Sequence, residues 1–171
     1  MCIFISRGGV KMCSIEEKIG KVLLLNNLTI STAESCTGGM VASKLISYPG
    51  ISKIFKEGFV TYTEEAKMKR LGVNRATLEK HTVVSFEVAE EMAIGVSKAA
   101  LTDIGISTTG IAGPGGGSPE QPVGLVYIGL YYKGETYSKK LLLKGDRQKI
   151  REEATIKALE LLEEIVNSNF L

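Results

Sequence analysis

Residues 32–39 limit the possible folds most strongly, because they join a strand pattern to a helix pattern through a short polar turn. Residues 28–33 alternate β-prone and small residues, and after the turn apolar residues recur at helical spacing: Met40, Val41, Leu45 and Ile46. Strand-to-helix turns of this kind often carry the functional groups of α/β proteins. The backbone N–H groups of the helix start suit an anion or a developing oxyanion, and the alternative is a simply capped helix.

The alternation of apolar patterns continues along the chain and predicts an α/β fold, a three-layer α/β/α domain with a mixed β-sheet. Predicted helices cover residues 15–25, 37–47, 64–71, 86–100 and 147–165, and predicted strands cover 28–33, 55–62, 103–109, 123–132 and 135–143. Residues 73–84 are predicted to be a loop. We expect residues 1–13 to be an irregular N-terminal extension, with Met12 as a possible natural start, and residues 14–171 to be one domain.

Composition excludes several classes of protein. The 171 residues are 44% apolar and carry a net charge of +2, without the basic block of a dedicated nucleic-acid binder. Apolar runs are far shorter than the roughly 20 residues of a membrane span. We therefore expect no nucleic-acid or membrane partner. The three cysteines form no C-x-x-C pair and the pattern of residues 1–12 does not match a secretory signal, so we expect a reducing, cytoplasmic location.

The scarcity of histidine restricts the possible chemistry. His81 is the one histidine and falls in a predicted polar loop, so a histidine-based triad or a zinc site of usual composition is not expected, and we expect no metal and no cofactor. The glycine-rich loops match neither the P-loop nor the dinucleotide-binding pattern. A nucleophile in the turn would therefore need another base, and lysine is the remaining choice.

Lys67 is the lysine best placed to serve as this base. It lies one turn inside the helix that Thr63 is predicted to cap, and helical side chains lean toward the helix N-terminus. If strands 28–33 and 55–62 are parallel, its amine approaches Ser35, provided that the amine is desolvated. The alternative is a solvated lysine paired with Glu64 or Thr63. Tyr62 is either a hydrogen-bonding partner or a core aromatic.

Residues 110–117 form a second conspicuous loop. Its glycines allow a backbone to approach a ligand, and Thr108 and Thr109 place hydroxyls at the preceding strand end. A mobile surface loop is the alternative. Further along, Asp146 is predicted to be an N-cap, and Arg147 is either a forked phosphate contact or a solvated side chain.

Five motifs occur in order: residues 33–39 (AESCTGG), residues 58–62 (GFVTY) with 65–67 (EAK), residues 109–114 (TGIAGP), residues 122–124 (PVG) and residues 145–147 (GDR). Together they resemble the CinA C-terminal domain family over about residues 14–166. The resemblance implies a metal-free nicotinamide-nucleotide amidase, which hydrolyses the carboxamide of nicotinamide mononucleotide to nicotinate mononucleotide and ammonia. We expect a stand-alone form that acts on this small molecule and forms homo-oligomers.

By this resemblance Ser35 is the nucleophile and Lys67 the general base, with Tyr62 beside them, while Cys36 and Thr37 remain rival nucleophiles. Backbone N–H groups of residues 37–39 are expected to form the oxyanion hole. The residues expected to bind substrate are Cys36, Thr37, Gly38, Gly39, Thr109, Gly110, Ala112, Gly113 and Arg147. Two other functions stay open: a non-catalytic module that binds a phosphorylated metabolite and acts through a partner, and a small nucleic-acid accessory protein.

Overall fold

The computed structural model describes residues 3–6 and 9–169, with side chains from residue 13 onward. Its strands are β1 (Ile3–Ser6), β2 (Gly9–Met12), β3 (Ile30–Glu34), β4 (Phe55–Val60), β5 (Ile104–Gly110), β6 (Leu125–Tyr132) and β7 (Glu135–Leu142). Its α-helices are α1 (Ile15–Leu25), α2 (Met40–Ile46), α3 (Glu64–Leu71), α4 (Arg75–His81), α5 (Phe86–Ala100) and α6 (Arg147–Ser168).

The main sheet is mixed, as predicted, with strand order β4-β3-β5-β6-β7. Strands β4, β3 and β5 are parallel to one another, whereas β6 and β7 join as antiparallel partners. Helices α1, α2 and α6 cover one face through a core that includes Ile30, Ile106 and Leu159, and α3, α4 and α5 cover the other. The three-layer α/β/α prediction is confirmed.

Two local predictions are wrong. Residues 73–84, predicted to be a loop, contain α4, which the Asn74 side chain caps by accepting from the Ala76 N–H at 3.0 Å. The helix buries one apolar residue, Leu78, so it leaves no periodic apolar stripe in the sequence. At the N-terminus β1 and β2 pair as an antiparallel hairpin instead of an irregular segment. Residues 1, 2, 7 and 8 of the expected extension lie outside the described residues.

The parallel strands decide where the polar turns meet. Glu34 at the end of β3 is in register with Val60 of β4 and with Thr108 of β5. The carboxyl ends of three neighbouring strands therefore share one edge, and the chain continues from each of them into a segment that the sequence marked as functional. Within the described residues, no helix has the length and apolar character needed to cross a membrane.

Candidate active site

Ser35 begins the turn after β3. Its N–H donates to the Thr108 carbonyl at 3.0 Å, which continues the β3–β5 ladder by one residue and fixes the serine backbone at the sheet edge. The residue is 8% exposed and lines a pocket. A hydroxyl at this place is accessible to a small molecule but is otherwise enclosed by protein.

The amine of Lys67 reaches this hydroxyl from α3. Its Nζ lies 3.1 Å from Ser35 Oγ and donates to the Thr61 carbonyl at 2.8 Å, with the Tyr62 carbonyl at 3.5 Å. The side chain is 0% exposed, so a solvated lysine is excluded. Burial lowers the pKa of Lys67 from 10.5 to about 8, although Cys36 and Glu64 act in the opposite direction. A substantial fraction of the amine is therefore neutral at mildly alkaline pH.

Glu34 occupies the start of α2. Its carboxylate accepts from the N–H groups of Gly39 and Val41 at 2.9 and 3.0 Å through Oε2, and from that of Ala42 at 2.8 Å through Oε1. A helix start attracts an anion, and here the protein supplies the anion itself. The prediction that Gly39 contributes to an oxyanion hole is therefore wrong, because its N–H already has an acceptor.

Thr37 belongs to the same internal network. Its hydroxyl is fully buried and donates to Glu34 Oε2 at 2.7 Å, so Thr108 Oγ1, also 2.7 Å away, must be the donor in the contact between the two threonines. Neither Thr37 nor Gly38 or Gly39 lines the pocket. Their predicted role in binding substrate is thus corrected to a structural role in the turn, and Thr37 is no longer a rival nucleophile.

Arg151 contacts the turn from α6, and sequence reasoning missed it. Its Nε donates to the Cys36 carbonyl at 3.1 Å and its Nη2 to the Thr37 carbonyl at 3.0 Å. Gly38 has a φ of +61°, and a Cβ there would lie 3.2 Å from Arg151 Nη2. The turn is thus bound on its N–H side by Glu34 and on its carbonyl side by Arg151.

Cys36 is a poor rival for Ser35. Its side chain packs in an apolar cluster with residues that include Ala112, Val126 and Ile150. Burial raises the pKa of the Cys36 thiol from 9.0 to about 11, although the backbone N–H groups of Cys36 and Thr37 and the Lys67 charge lower it. The reactive thiolate is therefore almost absent at neutral pH.

A cavity of about 250 Å³ opens beside Ser35. Most of the predicted binding residues line it together with several that were not predicted, notably the apolar Val83, Val84 and Ile111. The lining is formed by Ser35, Cys36, Tyr62, Val83, Val84, Thr109, Gly110, Ile111, Ala112, Gly113, Gly115, Gly116 and Arg147. The valines precede the α5 cap, and nothing in their sequence marks them as pocket residues.

Hydrogen bonds hold the pocket wall in place. Thr109 Oγ1 donates to the Val83 carbonyl at 2.7 Å, which connects the end of β5 to the segment before α5. Arg147 Nη1 donates to the Gly113 carbonyl at 2.6 Å, and its Nη2 donates to the Tyr62 hydroxyl at 3.1 Å. Tyr62 is 59% exposed, which excludes the alternative of a core aromatic. Its ring and Arg147 form the rim, and only its carbonyl faces Lys67.

A second cavity and the single histidine lie apart from the Ser35–Lys67 pair. A larger cavity of about 500 Å³ between α1, α2 and α6 is lined by no residue of the Ser35 pocket. His81 Nδ1 lies 3.0 Å from Glu87 Oε1 near the surface. Among the described side chains, no group of three or more His, Cys, Asp and Glu residues is arranged to hold a metal ion.

Comparisons with known proteins agree with this architecture. The competence-damage inducible protein of Clostridium novyi is 58% identical over 149 residues, which cover 87% of this chain and 36% of that protein. The protein of the same name from Clostridium beijerinckii is 58% identical over 153 residues, 90% of this chain and 37% of that protein. The chain thus spans about a third of the length of these curated relatives.

Solved structures of the CinA superfamily share the fold. A protein from Klebsiella pneumoniae 700603 superposes with a TM-score of 0.87 at 30% identity, covering 90% of this chain and 96% of that one. A protein from Escherichia coli gives a TM-score of 0.82 at 37% identity, with coverages of 90% and 94%. The family model of the CinA C-terminal domain matches residues 12–166, and the chain belongs to that family.

Proposed function

We propose that this protein is an amidohydrolase that converts the carboxamide of nicotinamide mononucleotide to the carboxylate and ammonia through a Ser35–Lys67 acyl-enzyme mechanism. The observation that carries the proposal is the fully buried Lys67 amine, 3.1 Å from a serine hydroxyl at the wall of a pocket. The activity assigned to the CinA C-terminal domain family supports the choice of substrate.

In the first half of the reaction, neutral Lys67 accepts the Ser35 proton while Oγ attacks the carboxamide carbon. The carbonyls of Thr61 and Tyr62 orient the amine and stabilise it once it carries a charge. Collapse of the tetrahedral intermediate breaks the C–N bond, and the Lys67 ammonium gives its proton to the departing nitrogen. Ammonia leaves and an ester to Ser35 remains.

In the second half a water molecule attacks this ester, with Lys67 again as the base. The bond to Ser35 Oγ breaks, Lys67 returns its proton to Oγ, and the carboxylate leaves. The oxyanion of both intermediates needs donors other than Gly39. Cys36 and Ala112 both line the pocket, so their backbone N–H groups are the nearest alternatives. We assign the oxyanion hole to these two groups.

The pocket suits a flat, partly apolar ring with a charged tail. Val84 and Ile111 offer apolar surface for the pyridine ring, while Arg147 presents a guanidinium at the open rim that suits a phosphate. At about 250 Å³ the cavity is small for a mononucleotide, so the ring occupies it and the phosphate lies toward the rim.

The proposal is tested by ammonia release from nicotinamide mononucleotide. Ser35→Ala and Lys67→Met should each lower kcat by at least on the order of 1000-fold, because each removes a group that takes part in bond making. Ser43→Ala on α2 and Lys69→Ala on α3 are matched controls, since both residues are exposed. Full activity in Ser35→Ala would overturn the assignment.

Thermal stabilisation of the wild-type protein by nicotinamide mononucleotide, without any ammonia release, would instead favour a non-catalytic binding module. A homo-oligomeric state and a cytoplasmic location stay predictions from the sequence, and light scattering of the purified protein tests the former.

A further inference from the structure

The first turns of α6 carry two arginines that reach the two loops beside Ser35. Arg147 and Arg151 are four residues apart and therefore share a helix face. Arg147 binds the Gly113 carbonyl in the loop after β5, whereas Arg151 binds the carbonyls of Cys36 and Thr37 in the loop after β3. Arg151 neither lines the pocket nor contacts Lys67.

The two carbonyls that Arg151 binds control the orientation of the turn. Peptide units are planar, so a carbonyl direction fixes the plane of its whole peptide unit. Arg151 thus fixes the two peptide units that directly follow the Ser35–Cys36 unit. The other end of Ser35 is fixed by its N–H bond to Thr108. Ser35 and the Cys36 N–H therefore lie between two fixed backbone points.

The contact has the geometry of a fork. Nε and Nη2 donate to two successive carbonyls at 3.1 and 3.0 Å, which a rigid guanidinium achieves and a lysine ammonium on a flexible stem does not reproduce. A Cβ at position 38 would lie only 3.2 Å from Nη2, so Gly38 leaves room for the guanidinium.

We propose that Arg151 is a positioning residue that holds the turn of Ser35 in the conformation in which Oγ meets the Lys67 amine. This role rests on the proposed function of Ser35 as nucleophile. Arg151 touches none of the reacting groups, so its loss lowers the fraction of molecules that are ready to react and leaves the contacts of the pocket intact. A displacement of about 1 Å at a reacting atom can lower a rate on the order of 100-fold.

The test is covalent labelling of Ser35 by a small fluorophosphonate, followed by mass spectrometry, because this reaction needs no nicotinamide mononucleotide. The serine oxygen attacks phosphorus, fluoride leaves and the serine proton passes to Lys67. Arg151→Met should lower the labelling rate by roughly 10- to 100-fold, and Arg151→Lys should fall between it and the wild type. Lys149→Met, which removes an exposed cation from the same turn of α6, is the control and should label at the wild-type rate.

The pH profile of labelling separates positioning from general loosening. The rate should rise with pH about a midpoint near 8, the pKa of buried Lys67, and this midpoint should stay in place in both Arg151 variants while the plateau falls. A midpoint that moves toward 10.5 would mean that water has reached Lys67, and would overturn the inference in favour of a merely structural role.

Two further outcomes are distinguishable. Equal labelling of the wild type and both Arg151 variants overturns the positioning role alone. Absence of Ser35 labelling in the wild type overturns the proposed nucleophile, and the positioning role with it. Circular dichroism identifies a misfolded Arg151→Met, in which case the rate and midpoint of Arg151→Lys decide.

Discussion

The turn of residues 35–39 and the loop of residues 110–117 follow neighbouring parallel strands, but they differ in how much of each segment is bound by side chains. In the first turn, Glu34 binds backbone N–H groups and Arg151 binds backbone carbonyls, so charged side chains hold it on both sides. In the second loop, Ile111 is anchored to β6 by the Leu125 carbonyl at 2.8 Å and Arg147 binds the Gly113 carbonyl, whereas residues 114–120 beyond them are exposed.

The difference matches the two roles that we propose for these segments: the first turn carries the nucleophile and the second loop forms a wall of the binding pocket. A nucleophile needs a fixed position relative to its base, because small displacements cost large factors in rate. A binding wall needs to accept a ligand, and a segment anchored at its base with an exposed tip is able to adjust. The same sheet edge thus combines a reacting group in a turn that is bound on both sides with a binding wall whose tip, residues 114–120, is exposed.

The largest expected effect comes from removing the carboxylate of the first turn. Glu34→Ala leaves three backbone N–H groups and the Thr37 hydroxyl without their acceptor, in two buried and two partly buried hydrogen bonds, so we expect a loss of about 4 kcal/mol in the free energy of unfolding. Urea denaturation measures it. Glu57→Ala in exposed β4 is the control, with an expected change within about 0.5 kcal/mol. Equal stabilities of the two variants would contradict the proposed role of the carboxylate.

Glu34 also shows which parts of the site can be predicted from the sequence and which cannot. The strand pattern and the glycines predicted a helix start that attracts an anion, and the structure has a carboxylate at this helix start. What the sequence did not reveal is that the preceding carboxylate is that anion, because the outcome depends on the rotamer of one side chain. The Ser35–Lys67 pairing was predictable, since it follows from parallel strands and the direction of helical side chains. The contact of Arg151 with the turn was not predictable, because Arg151 and Cys36 are 115 residues apart in the sequence.

The next prediction concerns the amine that faces the first turn. Burial of charged Lys67 destabilises the fold, so Lys67→Met, of similar length and uncharged, should be more stable than the wild type at pH 7 while it is inactive. The folded pKa of about 8 lies below the ordinary 10.5, so the unfolded chain binds more protons between these values and wild-type stability rises with pH across that window. The advantage of Lys67→Met should therefore shrink by about 3 kcal/mol from pH 8 to 10.5.

Urea denaturation of both proteins at pH 7 measures the advantage, and denaturation at pH 8 and 10.5 measures its change. Lys69→Met is the control, because Lys69 is exposed on the same helix and its variant should follow the wild type at all of these pH values. A stability difference between Lys67→Met and the wild type that is independent of pH would mean that Lys67 keeps an ordinary pKa in the folded protein.

A pair of glycine substitutions compares the two segments directly. Gly38 has a left-handed φ of +61°, and a Cβ there would approach Arg151 Nη2 to 3.2 Å, so Gly38→Ala should cost about 1–2 kcal/mol. At Gly115 a Cβ would meet no atom within 4 Å, and Gly115→Ala should change stability by less than about 0.5 kcal/mol. Thermal unfolding of the two variants measures both values, and a larger loss for Gly115→Ala would reverse the assignment of the rigid and the open segment.

The smallest expected effect separates the nucleophile from its neighbour. Cys36→Ala should retain amidase activity within about a factor of three, because the thiol packs among apolar side chains and its N–H group stays in place. Since burial raises the pKa of Cys36 to about 11, iodoacetamide should alkylate it slowly at pH 8. Loss of turnover in a folded Cys36→Ala that still carries Ser35 would mean that the nucleophile is Cys36 Sγ and not Ser35 Oγ. Retained turnover together with an inactive Ser35→Ala leaves the serine as the one group of the turn that both faces the pocket and meets the lysine.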